Sequence, residues 1–150
     1  MAFGKFVGKC GNYYFTPDMT ELKKERKQIE NRADVSLLVR SFYAKVRQNE
    51  LLGPIFNNII SDWEEHLEKL TDFWENNLFF IKKYYGNPKK AHIDVDQKMD
   101  NIIESKHFGE WLNLWYKTID ENFEGQLADR AKMNARKMST HLFLKIYENR

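Results

Sequence analysis

The spacing of apolar side chains constrains this fold more than any other feature. Leu127, Ala131, Ala135, Met138, Leu142 and Ile146 recur at three- and four-residue steps near the end of the chain. At 3.6 residues per turn, that spacing lines them along one face of a helix. Val35, Leu38, Val39, Phe42 and Val46 show the same period earlier, with Tyr43 beside Phe42. Phe108, Trp111, Leu112, Trp115 and Ile119 show it again later. No segment has the two-residue alternation of a half-buried strand, so an all-α fold with four substantial helices is expected.

Local signals set the expected boundaries. Asp34 reads as the N-cap of the first helix, which Gly53 and Pro54 break, leaving a short turn that carries Phe56. Ser61 with Glu64 matches a capping box and opens a long helix to roughly Ile81–Tyr84, stopped by Gly86 and Pro88. A polar connector, "IDVDQKMDNIIES", follows His92. Ser105 caps the next helix, and Gly125 separates it from the last. Before these, glycines interleaved with Phe3, Phe6, Tyr13, Tyr14 and Phe15 show no helical period. They read as an irregular arm, packed through those aromatics or disordered. "TELKKERKQIENR" is charged nearly all round, a solvated helix at best. Residues 1–33 therefore form an arm, and residues 34–150 the folded domain.

Composition narrows the class. With 42% hydrophobic residues in 150, one domain with a real core is expected. Charged residues make up 31%, yet the net charge is only +2, too balanced for a dedicated nucleic-acid binder. Cys10 stands alone, which excludes an internal disulfide and argues against a cysteine-based zinc or iron–sulfur site. No stretch matches a signal peptide or a membrane span, so a cytoplasmic protein is expected. The aromatic share of 15% fits either an aromatic core or a pocket for a flat apolar ligand.

The four histidines are His66, His92, His107 and His141. His66 shares a helix face with Leu70, Phe73, Trp74, Asn77 and Ile81, where a histidine more often borders a core than binds a ligand. His92 closes the stretch "YYGNPKKAH" (84–92), and a lone loop histidine is usually just solvated. Zinc explains neither. There is no HExxH and no cysteine pair, and the alternation in "HIDVD" reads as a polar turn. No phosphate-cradling glycine loop and no GxSxG elbow occur. Haem iron asks for less, a single imidazole on one side of the metal. Residues 85–91 can extend about 24 Å, enough to cross the edge of a flat cofactor and bring His92 beneath it, with His66 above.

Four segments in order, "FYAKVRQNELLGPIF" (42–56), "DWEEHLEKLTDFW" (62–74), "YYGNPKKAH" (84–92) and "HFGEWLNLW" (107–115), carry a family resemblance. Over residues 34 to about 147 the chain resembles the truncated haemoglobins, and among them the third group, with its shortened two-over-two helical globin fold. The resemblance implies haem b, with His92 as the proximal iron ligand. It implies Tyr43, His66 and Trp111 as distal residues that stabilise a ligand, and Phe56, Leu70, Phe73 and Trp74 as haem contacts. His107 is a rival axial ligand, though it fits the family's helix-opening "HF". The arm before residue 34 is an N-terminal extension that the resemblance does not cover.

The function implied is binding of O2, NO, CO or similar small ligands by a monomer without nucleic-acid or membrane partners. Nitric-oxide dioxygenation or peroxide reduction is chemically open to such a haem. Residues 1–150 hold no room for a flavin or NAD domain, so electrons for either reaction would come from a separate donor. The alternative is a six-coordinate haem protein for electron transfer or sensing, with His66 opposite His92. Lys83, Lys89 and Lys90 pair with the haem propionates or form a solvated basic turn, and Met138 belongs first to the core, with haem contact incidental.

Overall fold

In the computed structural model, which describes residues 24–150, the apolar periodicity resolves into six helices. They are α1 (Arg32–Gln48), α2 (Gly53–Ile59), α3 (Trp63–Phe79), α4 (Pro88–Lys98), α5 (Ser105–Asn122) and α6 (Gln126–Glu148). Cys10 and the aromatics of residues 3–15 lie outside the described residues.

Side-chain caps set the helix starts, often a residue or more from the expected places. Asp34 is not the N-cap of α1. Asn31 is, accepting from the Asp34 backbone N–H at 3.2 Å, while the Asp34 carboxylate reaches back to the Glu30 N–H at 2.9 Å. The two side chains thus satisfy donors that a helix start leaves orphaned. Asp62 rather than Ser61 caps α3, accepting from Glu65 N–H at 3.0 Å. Glu104 rather than Ser105 caps α5 in a capping box with His107. Helix α3 also ends earlier than expected. Phe80 turns left-handed at φ 59°, and the chain folds back so that the Asn76 side chain accepts from Lys83 N–H at 3.3 Å.

Three stretches differ in kind from the sequence expectation. The turn at Gly53–Pro54 is the helix α2, because proline at the start of a helix gives up an N–H that has no partner there. The first part of the connector after His92 belongs to α4, capped by Asn87, whose side chain accepts from Lys90 N–H at 3.1 Å, with Pro88 next. Residues 24–30 are not a solvated helix. Lacking an apolar stripe, they pair their backbone with the end of α5 (Lys27 N–H to Asn122 O, 3.3 Å; Glu124 N–H to Lys27 O, 3.0 Å) and bury Ile29.

Packing gives two helix pairs, α1 on α3 and α5 on α6, with α1 crossing α5 and α3 meeting α6, the two-over-two arrangement expected. Trp115 lies at the centre, fully buried. Its ring stacks on Trp74 (centroids 4.5 Å apart) and on Trp111 (5.8 Å), Phe42 meets it edge-on at 5.0 Å, and its N–H donates to Ala131 O at 3.2 Å. No helix among the described residues is long and apolar enough to cross a membrane.

A charged staple joins the start of α1 to α3. Arg32 donates to Asp72 and Glu75, both at 2.6 Å, and to Glu68 at 2.8 Å, while Lys83 reaches Glu75 at 3.0 Å. Burial alone would raise the Glu75 carboxyl, but Arg32 and Lys83 outweigh it and hold the group below the usual carboxylate range. A carboxylate with a lowered folded-state pKa contributes stability above its unfolded value near 4.5 and loses it as the pH falls through the folded value. Glu75→Gln is therefore expected to cost about 1.5–3 kcal/mol at pH 7. The gap from wild type should close below about pH 4.5, which urea titrations across pH would test.

Candidate functional site

Six helices converge on one cavity of about 370 Å³. Helix α1 supplies Tyr43, α2 supplies Phe56 with Ile55 and Ile59, and α3 supplies His66, Lys69, Leu70, Phe73 and Trp74. Helix α4 adds Ala91, His92 and Val95, and α5 adds His107, Phe108 and Trp111. Met138, Ser139 and Leu142 of α6 complete the wall, so six helices in all reach it. Every residue that the sequence nominated for the site (Tyr43, Phe56, His66, Leu70, Phe73, Trp74, His92 and Trp111) lines this space.

His92 sits in the second turn of α4, not in a loop. Residues 80–87 alone make the irregular crossing, and Asn87 and Pro88 start the helix beneath the cavity. The His92 Nδ1 lies 2.6 Å from the Pro88 carbonyl oxygen, which can only accept, so Nδ1 carries the proton and Nε2 keeps its lone pair. Burial pushes the His92 pKa down while the Pro88 contact opposes it, and the net shift is downward, toward a neutral ring.

His66 faces the same cavity. Its Nε2 is the single buried side-chain nitrogen or oxygen without a hydrogen-bond partner among the described residues. Burial lowers its pKa first, then the charges of Lys69 and His92, so it too favours the neutral ring. Its ring meets Tyr43 edge-on at 5.7 Å and Trp63 at 5.8 Å.

Tyr43 is buried, with Phe42 at 4.8 Å and Phe56 at 5.8 Å around its ring. Burial drives its pKa well above the ordinary phenol range, against a smaller opposing effect of the Trp111 side chain, so the hydroxyl keeps its proton. Trp111 is positioned by stacking on Trp115 and by the edge of Phe42, 5.2 Å away.

No protein-family model matches the chain. A curated Campylobacter jejuni protein described as a group 3 truncated haemoglobin is 34% identical over 119 residues, which span 75% of this chain and 91% of that relative. The chain belongs to the group 3 truncated haemoglobins. The crystal structure of the group III truncated haemoglobin from Campylobacter jejuni matches this globin with a TM-score of 0.73 at 28% identity, covering 82% of this chain and 96% of that one. The 2/2 haemoglobin from Synechococcus sp. PCC 7002, solved in the cyanomet state with covalently attached haem, matches at a TM-score of 0.65 and 22% identity. It covers 77% of this chain and 91% of that one, a likeness of fold alone.

The globin's remaining candidates divide. His107 lines the cavity, but its Nδ1 accepts the Glu104 N–H at 2.8 Å in the α5 cap, which leaves the proton of its neutral ring on Nε2. Lys83 is turned to Glu75, and Lys90 pairs with Asp94 at 2.7 Å. Lys89 lines an adjoining hollow with Lys137 and His141. Sequence reasoning missed Lys69, Ile55, Ile59, Ala91 and Val95, while Met138, read as core first, also faces the cavity. For Met138 and Leu142 the signal existed, since the apolar stripe of α6 serves both. For Ala91 and Val95 it was lost with α4 itself.

Proposed function

We propose that this globin holds haem b in the cavity, with its iron on Nε2 of His92, and binds small diatomic ligands such as O2, NO and CO on the His66 side. One observation carries this. Of the three histidines that line a single cavity, one has a lone pair freed by its bond to Pro88 and another an orphaned buried nitrogen. A buried polar atom without a partner is costly in an otherwise satisfied protein, and a ligand at that place removes the cost. The residues present therefore fit the group.

Haem, when bound, supplies an iron that takes a diatomic ligand and places negative charge on it. The chain supplies the surroundings. Tyr43, held protonated, donates through its hydroxyl, and Trp111 can only donate. His66 donates or accepts at Nε2 according to its tautomer. Phe56, Leu70, Phe73 and Trp74 give the flat apolar walls that exclude water and keep those hydrogen bonds strong. Lys69 on the cavity wall and Lys89 beside it are the cations available to the cofactor's carboxylates. In a cytoplasmic setting, such a pocket suits tight ligand retention or, with a separate electron donor, chemistry on NO or reactive oxygen.

Absorption spectra of the oxidised, reduced and CO-treated protein test the proposal. A five-coordinate reduced spectrum that shifts on adding CO is expected, and protein purified after haem supplementation without a Soret band would refute it. The orphaned His66 Nε2 also favours a second reading, in which it closes the iron's sixth position for electron transfer or sensing. Six-coordinate low-spin bands in the reduced protein without added ligand would establish that instead.

A further inference from the structure

Helix α4 carries His92 and packs against α6, yet few of its side chains are fully covered. Of its residues Pro88–Lys98, only Asp96 is buried, at 1% exposure. The His92–Pro88 bond lies within α4, so it fixes the ring to its own helix and not to the cavity. Something else must fix the helix.

Asp96 lies one turn beyond His92, on the same face. Its carboxylate accepts from Arg150 Nε at 3.0 Å, from Arg150 Nη2 at 2.9 Å and from the Ile103 backbone N–H at 3.1 Å. Arg150 Nη2 also donates to the Ile103 carbonyl, and its guanidinium lies over the Tyr147 ring at 5.1 Å. Asp100 and Asn101, both left-handed (φ 55° and 59°), turn the chain back so that Asn101 N–H meets Asp96 O at 2.8 Å and Ile103 reaches the carboxylate. A buried carboxylate cannot leave such partners without heavy loss, so Arg150 dictates where Asp96 sits. Because an α-helix is stiff over one turn, the position of His92 follows.

Taking His92 as the iron ligand, as proposed above, we infer that Arg150 is a positioning residue. Through Asp96 it sets the depth of the His92 ring beneath the cavity, and with it the strength of the bond to iron. An ordinary tertiary staple between α4 and the end of α6 would stabilise the fold without touching that bond.

The test uses Arg150→Ala in the full-length holoprotein. Haem transfer to excess apomyoglobin is expected to speed up roughly tenfold, the lower end for residues behind a metal ligand. The iron–histidine stretching band of the reduced protein in resonance Raman should shift or broaden, and Arg150→Lys should recover part of both effects. In the haem-free protein, amide exchange of α4 should quicken while that of α1 and α5 stays as in wild type. A lowered Tm with an unchanged iron–histidine band and unchanged haem transfer would reduce Arg150 to a staple and overturn the inference. Unchanged α4 exchange would overturn it as well. If Arg150→Ala fails to fold, Asp96→Asn replaces it under the same criteria. A wild-type protein without an iron–histidine band, or a His92→Gly variant that retains the band, would refute the haem assignment separately. The exchange measurement, which needs no haem, would then still decide whether Arg150 sets α4.

Discussion

Exchanging His92 for glycine is expected to strip the globin of its hold on haem, and free imidazole is expected to give it back. Glycine removes the ring nitrogen whose lone pair the bond to Pro88 frees, while the Asn87 cap and the Asp96–Arg150 pair keep the rest of α4 in place. Replacing residues behind a metal ligand already costs about 10–100-fold in affinity, so loss of the ligand itself should cost roughly a hundredfold or more. The space vacated by the side chain suits an added imidazole, which should restore a Soret band in a saturable way. Haem transfer rates and imidazole titrations measure both parts. Wild-type haem retention in His92→Gly would show that the iron is anchored elsewhere. His107 is the obvious rival, but its α5 cap leaves it no free lone pair.

The all-α architecture was legible because its long helices bury wide stripes. Phe42, Val46, Trp115 and Ile119 lie at helical spacing and are fully buried. Helices α2 and α4 escaped notice for a physical reason. Each has a proline in its first turn that reads equally as a breaker, and α4 buries only a carboxylate, which no apolar pattern can announce. Boundaries went astray where two polar residues compete for one cap. Asn31 and Asp34 both have the chemistry, and the winner depends on the path of residues 24–30 across the end of α5, a tertiary fact.

Legibility of the site followed a similar rule. Its polar members lie on four different helices; His66 and His92 drew notice as histidines, and only the likeness to a family added Tyr43 and Trp111 to them. The apolar walls were found only where that likeness named them. Ile59 and Val95 look like any core residue, and only the meeting of α2 with α4 across a cavity separates lining from core. The lysines stayed undecided in the sequence for the opposite reason. A cation near a bend is cheap to solvate, and carboxylates already engage Lys83 and Lys90.

The distal donors carry the second large expectation. Tyr43→Phe keeps the ring and its edge contacts with Phe42 and His66, so it deletes little beyond the hydroxyl. Trp111→Phe deletes the indole N–H and part of a ring stacked on Trp115. A hydrogen bond to a charged partner contributes about 1.5–3 kcal/mol. At about 1.4 kcal/mol per tenfold, each substitution should speed O2 dissociation by roughly ten- to a hundredfold. Independent donors would give roughly 10² to 10⁴ in the double variant. The two are not independent, since both rings pack on Phe42 (4.8 and 5.2 Å between centroids), so the double variant should fall short of the product of the singles. Stopped-flow O2 dissociation across the four proteins of this cycle measures the shortfall. CO, which takes on less negative charge, should dissociate at rates that change far less. Single variants that release O2 at the wild-type rate would show that these donors do not hold the ligand. Equal acceleration for both gases would point to a distorted pocket instead of lost hydrogen bonds.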